Sequence, residues 1–265
     1  MTNRVRDLER IRRALEAADQ VLRQFESGRI AAAHKANHDP VTEADLACDR
    51  VLQEVLLEPD EGWLSEETAD EPDRLSKDRV WVVDPLDGTK EFVAGIPEWC
   101  VSVGLVEDGI AVAGGILNPA AGFIALGAEG LGCTLNGVPA GRRASIGLNG
   151  ATVLASRTEF GRGQWEPWEE APFAVLPMGS VAYKMARVAC GLADATWTLV
   201  PKHEWDVAGG TALVSAGGGM VCLPDGGSVR FNQPSAKLPG LIAVGPGLLP
   251  SFDLTQVVYG GRHSA

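Results

Sequence analysis

A chain of 265 residues, 45% of them hydrophobic, can bury a sizeable core as one large or two closely joined domains. Its net charge of −12 excludes a general affinity for nucleic acid or for an anionic membrane surface, both of which need basic patches. No run approaches the ~18–20 apolar residues of a membrane span, and the charged stretch from Arg4 to Arg13, with no apolar h-region, is not expected to act as a signal peptide. Five scattered cysteines (Cys48, Cys100, Cys133, Cys190, Cys222) form no C-x-x-C pair, so the expectation is a cytoplasmic protein with reduced, buried thiols and neither a zinc cluster nor a disulfide framework.

Leu8, Ile11, Leu15, Ala18, Leu22 and Phe25 recur at three- and four-residue steps and predict an amphipathic helix ending near Gly28. After a loop from Lys35 to Pro40, Thr42 and Asp45 have the spacing of a helix cap, with Val51, Leu52, Val55 and Leu56 as the apolar stripe. Capping alone accounts for that pair at this point. Trp63 to Ser65 predicts a short strand running into Glu66-Glu67, and the charged, turn-rich stretch from Thr68 to Lys77 predicts a mobile loop.

The centre of the chain is Val80-Trp81-Val82-Val83-Asp84-Pro85-Leu86-Asp87-Gly88-Thr89-Lys90-Glu91-Phe92. Its apolar, β-branched start reads as a buried strand that Pro85 breaks. Asp84 and Asp87 flank the Leu86 carbonyl, which gathers two carboxylates and a backbone oxygen, the donor set that hard cations such as Mg²⁺ prefer. Gly88-Thr89 then opens a helix whose free N–H groups suit an anion. The same residues also make an ordinary Asp-rich turn, and the motif by itself leaves both readings open.

From Cys100 to Val138, short apolar runs punctuated by glycine predict an antiparallel meander. A second portion begins with a strand over Thr152–Ser156. We expect residues 157–172 to form a surface loop, Ser180 to Cys190 a helix, Ala195–Val200 a strand and Asp206–Ala216 a helix stopped by three glycines. Met220–Leu223, Val229–Phe231 and Leu241–Val244 complete a second sheet in this reading.

Other chemistries are poorly represented. The Asp84/Asp87 spacing differs from the D-x-D of aspartyl-phosphate phosphatases, and His203-Glu204-Trp205-Asp206-Val207 lacks the second histidine of a zincin. The chain contains no G-x-x-x-x-G-K-S/T, no G-x-G-x-x-G and no G-x-S-x-G elbow.

Four separated pieces, Asp39-Pro40-Val41-Thr42-Glu43-Ala44-Asp45, Ser65-Glu66-Glu67, Asp84 to Thr89 and Glu204-Trp205-Asp206-Val207-Ala208-Gly209, stand in an order and spacing that resemble the inositol monophosphatase superfamily of Mg²⁺-dependent, lithium-sensitive phosphatases. The resemblance spans nearly the whole chain. It implies an α+β, layered αβαβα sugar-phosphatase fold, read here as an N-terminal half over 1–148 and a C-terminal half over 149–265 closing the site. It also implies two or three Mg²⁺ ions held by Glu66, Asp84, Asp87, Asp206 and the Leu86 carbonyl. Glu66 and Thr89 then resemble the pair that orients the attacking water, and Asp45 with Thr42 the pair hydrogen-bonded to Thr89. Lys35 stands near a lysine position of the family, one residue closer to Asp39 than that pattern has it.

The implied enzyme is a Mg²⁺-dependent phosphoric monoester hydrolase acting on a small molecule, and the implied assembly a homodimer. Lys90-Glu91-Phe92 and Glu204 look like the 3′(2′),5′-bisphosphate nucleotidase branch, whose substrate is 3′-phosphoadenosine 5′-phosphate. Gly95-Ile96-Pro97 and the run from Trp99 to Leu105 look more like the inositol-1-phosphate and histidinol-phosphate branches. Candidate substrate contacts are Asp87, Gly88, Thr89, Gly179, Ser180, Lys184, Lys202 and Asp206, with Lys184 alternatively a plain helix-surface residue. A non-catalytic regulatory protein on this fold would be marked by loss of a metal carboxylate or of Thr89, and none is lost.

Overall fold

The computed structural model describes residues 4–34, 40–141, 143 and 147–258. Helix α1 (Arg4–Leu22) buries Ile11, Ala14, Leu15, Ala18 and Leu22 along one face, and the chain turns at Gly28, whose φ of 84° suits glycine alone. β1 (Ala33–His34) pairs antiparallel with β2 (Pro40–Val41), and α2 (Glu43–Leu56) follows behind the Thr42/Asp45 capping box. Lys35 and Asp39 lie outside the described residues.

β3 (Gly62–Ser65) and β4 (Arg79–Asp87) run parallel, joined through a 3₁₀ turn over Pro72–Ser76. The stretch expected as a mobile loop is therefore ordered, because Arg74 turns inward and is only 3% exposed. β4 also differs from expectation in continuing through Pro85. Its register against β5 (Cys100–Glu107) shifts between Asp84 and Asp87, and this bulge accommodates a residue with no N–H to give the ladder. α3 (Thr89–Ala94) precedes β5, and β6 (Ile110–Asn118), β7 (Phe123–Ala128), β8 (Gly132–Leu135) and β9 (Val138–Pro139) extend the expected meander to a sheet ordered β3-β4-β5-β6-β7-β8-β9.

The second half adds β10 (Thr152–Ser156), α4 (Arg157–Gly161), β11 (Ala174–Met178), α5 (Val181–Ala189), β12 (Ala195–Thr198), β13 (Lys202–His203), α6 (Glu204–Ala216), β14 (Met220–Cys222), β15 (Lys237–Leu238), β16 (Leu241–Val244) and α7 (Leu254–Val258). Five of these strands form a sheet ordered β11-β10-β12-β16-β14, and β13 pairs with β15. β11 went unpredicted because Pro177 interrupts its apolar run. As an edge strand it tolerates a missing donor.

Three other expectations are corrected. Residues 157–172 are not a surface loop: they carry α4, and Trp165 and Trp168 pack onto Trp197 with ring centroids 5.1 and 5.8 Å away. Val229–Phe231 is not a strand, since the Phe231 N–H bonds the Gly109 carbonyl and Asn232 takes φ 57°. α6 starts at Glu204, two residues earlier than read, with Asp206 as the third residue of a capping box on His203.

Side-chain alternation sorts the core into three apolar layers. Trp81, Val83, Val101, Val103 and Leu105 face α1 and α2. Val80, Val82, Cys100 and Ile116 face the other way, onto α5 and α6, which Leu154, Leu241 and Ala243 of the second sheet cover from behind. Val153, Ala195, Trp197, Ile242 and Val244 pack outward under Trp165, Trp168 and Val257. The order is helices, sheet, helices, sheet, helices, as the αβαβα expectation has it.

The middle layer needs glycine. A Cβ on Gly104 would lie 2.8 Å from the Gly209 nitrogen, one on Gly114 2.5 Å from the Gly209 carbonyl oxygen, and one on Gly209 2.8 Å from the Val103 carbonyl oxygen. α6 therefore crosses β5 and β6 almost backbone to backbone. That close approach carries Asp206 to the end of β4.

Candidate active site

A cavity of about 510 Å³ opens where the ends of β3 and β4 meet the starts of α3, α5 and α6. Glu66, at the end of β3, Asp84, on the β4 bulge, and Asp206, in the first turn of α6, each place a carboxylate oxygen within 4.8 Å of the other two. The local chain dictates the Asp84 geometry. Its Oδ1 accepts the Leu86 N–H at 3.0 Å, closing a small turn over Pro85. Asp206 Oδ2 accepts the His203 N–H at 2.9 Å.

The crowding has electrostatic consequences. Burial, then the charges of Glu66, Asp87 and Asp206, hold Asp84 well above the usual carboxylate range. Burial and the charges of Asp87 and Glu66 push Asp206 up to about 8. An all-oxygen donor set whose members repel one another this strongly fits a divalent cation, which would relieve the repulsion. Glu66, Asp84, Asp206 and the Leu86 carbonyl beside them are the groups that could hold it.

Asp87 is placed differently from the other three acids. Its Oδ2 accepts the Ser180 hydroxyl and the Ala182 N–H, both at 2.6 Å, and so docks the start of α5 onto the first sheet. Burial raises its pKa, and Ser180, Ala182, Lys184 and Lys202 oppose the rise. Ser180 takes φ 52° to make this contact, and its Oγ also accepts the Tyr183 N–H at 3.0 Å.

A chain of hydroxyls and carboxylates reaches the same floor. The Thr89 hydroxyl lies 3.0 Å from both Asp45 Oδ1 and the Leu86 carbonyl oxygen. Asp45 Oδ2 accepts the Thr42 hydroxyl at 2.6 Å and the Thr42 N–H at 2.8 Å. Thr42 thus reaches Thr89 through Asp45, and the same pair forms the capping box of α2. Burial raises the Asp45 pKa against the pull of those hydrogen bonds.

Gly88, Gly179, Ser180 and Lys202 all line the cavity. Lys184 lines it too and is 3% exposed, which corrects its reading as a helix-surface residue; its ammonium donates to the carbonyls of Ser180 at 3.0 Å and Met178 at 3.3 Å, and burial lowers its pKa to about 8. Glu204, by contrast, is fully buried and faces away from the cavity.

Sequence reasoning missed several residues here. Glu91 and Arg157 line the cavity; Glu98 pairs with Arg157 at 2.6 Å and accepts the Gly179 N–H at 2.7 Å. Asp49, one helical turn beyond Asp45, accepts the Ser65 and Thr68 hydroxyls on either side of Glu66. Its i+4 relation to Asp45 on α2 was the available signal.

The sequence profile described as the inositol monophosphatase family matches residues 6–250. The chain belongs to the inositol monophosphatase family. It is 35% identical to inositol monophosphatase 3 of Solanum lycopersicum over 208 residues, 73% of this chain and 76% of that protein. An inositol monophosphatase structure from Anabaena (Nostoc) sp. PCC 7120 superposes with a TM-score of 0.74 at 27% identity, covering 92% of this chain and 93% of the other. The structure of CysQ from Bacteroides thetaiotaomicron, described as a bacterial member of the family, superposes with a TM-score of 0.74 at 25% identity over 91% and 97% of the two chains. As an inositol monophosphatase family member, the chain is a phosphomonoesterase.

Proposed function

We propose that this phosphatase uses Mg²⁺, two or three ions per site, to hydrolyse a small-molecule phosphomonoester, with 3′-phosphoadenosine 5′-phosphate as the leading substrate and AMP as product. The observation that carries the reading is the convergence of Glu66, Asp84 and Asp206 beside the Thr89–Asp45 pair on one cavity floor. Divalent cations held there would neutralise the phosphoryl oxygens and make water acidic near neutral pH.

The chain's own groups do the rest. When the Thr89 proton points at Asp45, the Thr89 oxygen is left to accept from a water, and Glu66 orients that same water from the other side. The N–H groups of Gly88 and Thr89 hold phosphate oxygens. Asp87, with Oδ2 committed to α5, offers its other oxygen to the cations. The halves 1–148 and 149–265 each supply acids, so docking of one on the other completes the site.

Substrate choice rests on the walls. Lys90, Arg157, Lys184 and Lys202 surround the cavity and would balance a second phosphate on the leaving group. Glu204, a mark of that branch in the sequence, lies outside the cavity lining and is no candidate substrate contact. Inositol 1-phosphate is the second reading, favoured by the names of the relatives. Phosphate release from 3′-phosphoadenosine 5′-phosphate, inositol 1-phosphate and histidinol phosphate, with and without Mg²⁺ and lithium, decides among them through the ratio of kcat/KM values. Five free, buried cysteines support a reducing, cytoplasmic setting. A homodimer is proposed on the resemblance, and sedimentation velocity checks it. No helix of the described residues is long and apolar enough to cross a membrane.

A further inference from the structure

Glu66 comes to the cavity from the end of β3 and Asp206 from the first turn of α6, and a polar tie anchored on two buried charges, Arg74 and Glu204, joins the segments that carry them. Arg74, 3% exposed, grips Asp70 with two bonds, Nε to Oδ1 at 2.6 Å and Nη2 to Oδ2 at 2.9 Å. Its Nη1 donates to Asn232 Oδ1 at 2.7 Å and its Nη2 to the Gln233 carbonyl at 3.0 Å, while Asn232 Nδ2 donates back to the Arg74 carbonyl at 3.0 Å. The N–H groups of Asn232 and Gln233 in turn donate to the two oxygens of Glu204 at 2.7 and 2.9 Å. Glu204 is fully buried and lies two residues before Asp206 in the first turn of α6. On the other flank, Asp49 holds Ser65 and Thr68 around Glu66.

We infer that Arg74, Asn232 and Glu204 act as positioning residues that hold Glu66 at its working separation from Asp206, and so set the affinity of the site for divalent cations. This rests on the metal reading of the site. None of the three lines the cavity. Burying the charges of Arg74 and Glu204 costs desolvation that apolar residues would avoid, and the return is a fixed register between the segments they join. Asn232 holds φ 57°, a conformation sustained by bonds on both sides of its backbone and side chain.

The test is calorimetric titration of Mg²⁺ and Mn²⁺ into substrate-free protein for wild type, Arg74→Met and Asn232→Ala, with kcat and KM measured across Mg²⁺ concentrations. We expect both variants to bind the metals at least about tenfold more weakly, the scale of groups that orient metal ligands. Excess Mg²⁺ should restore kcat while KM stays near wild type, and Arg74→Lys should recover part of the affinity. A variant with a lowered Tm but wild-type metal affinity would overturn the inference. Should Arg74→Met fail to fold, Asn232→Ala decides by the same criterion. Absence of metal binding in the wild type would overturn the site reading, and this inference with it.

Discussion

The Thr89 hydroxyl sits 3.0 Å from Asp45 Oδ1, although the two residues are 44 positions apart and belong to different helices. Asp45 also takes the Thr42 hydroxyl, so one carboxylate serves two hydroxyls and sets where the Thr89 lone pairs point. Replacing it with Asn puts an N–H₂ where an acceptor is needed and turns one hydroxyl away. We predict that Asp45→Asn lowers kcat by about 10²–10⁴-fold, the usual worth of a positioned proton-transfer group, with KM little changed. Steady-state kinetics check this, and an unchanged kcat would remove Asp45 and Thr89 from the reaction.

Asp84 lies under the repulsion of Glu66, Asp87 and Asp206. Asp84→Asn keeps the acceptor for the Leu86 N–H and removes one charge. Turnover should vanish while the metal-free protein melts at or above the wild-type Tm, and Mg²⁺ should no longer raise that Tm. Thermal melts in chelator and in Mg²⁺ test both halves of the statement; activity retained in Asp84→Asn would sink the metal assignment.

The raised Asp206 pKa gives stability a sign with pH. In metal-free protein, the native state keeps a proton up to about pH 8 that the unfolded chain releases near the ordinary value of 3.8. The native state binds more protons across this window, so stability is full below it and falls as pH rises from about 4 to 8. A cation competes for the same carboxylates, so the Tm gain from Mg²⁺ should grow over the same interval. A Tm gain that shrinks with rising pH would contradict the arrangement.

Lys202 lines the cavity 3.9 Å from Glu159, with its ammonium free to meet a substrate anion on the other side. Lys202→Ala should raise KM for a bisphosphate substrate about tenfold, an exposed-to-half-buried charged contact of roughly 1–2 kcal/mol, and leave inositol 1-phosphate less affected. An identical KM for every phosphorylated substrate would exclude Lys202 from binding.

Gly104 lets α6 cross β5 at backbone distance. Gly104→Ala should destabilise the protein by about 1–3 kcal/mol, the cost of overpacking, and lower metal affinity because the shift displaces Asp206. Denaturant unfolding and Mg²⁺ titration measure the two effects.

How much of this was legible in the chain depends on range. The segment from Asp84 to Thr89 was readable because its chemistry is local: two acids, a carbonyl, a glycine and a hydroxyl within one turn, after an apolar run. α1 and the meander were readable because periodicity reports which face is buried. Pro85 misled for the same reason, since a local rule about donors cannot foresee a bulge in β4 that shifts its register against the neighbouring strand. Tertiary packing alone decided that Asp206 meets Asp84, through the glycines that let α6 approach the sheet, and that Asp87 is bonded by the start of α5. Trp165 and Trp168, surrounded by acids in the sequence, found their place only against Trp197. Propensity and spacing record short-range hydrogen bonding and alternation, whereas these contacts depend on surfaces distant in the chain becoming complementary in shape and charge once folded.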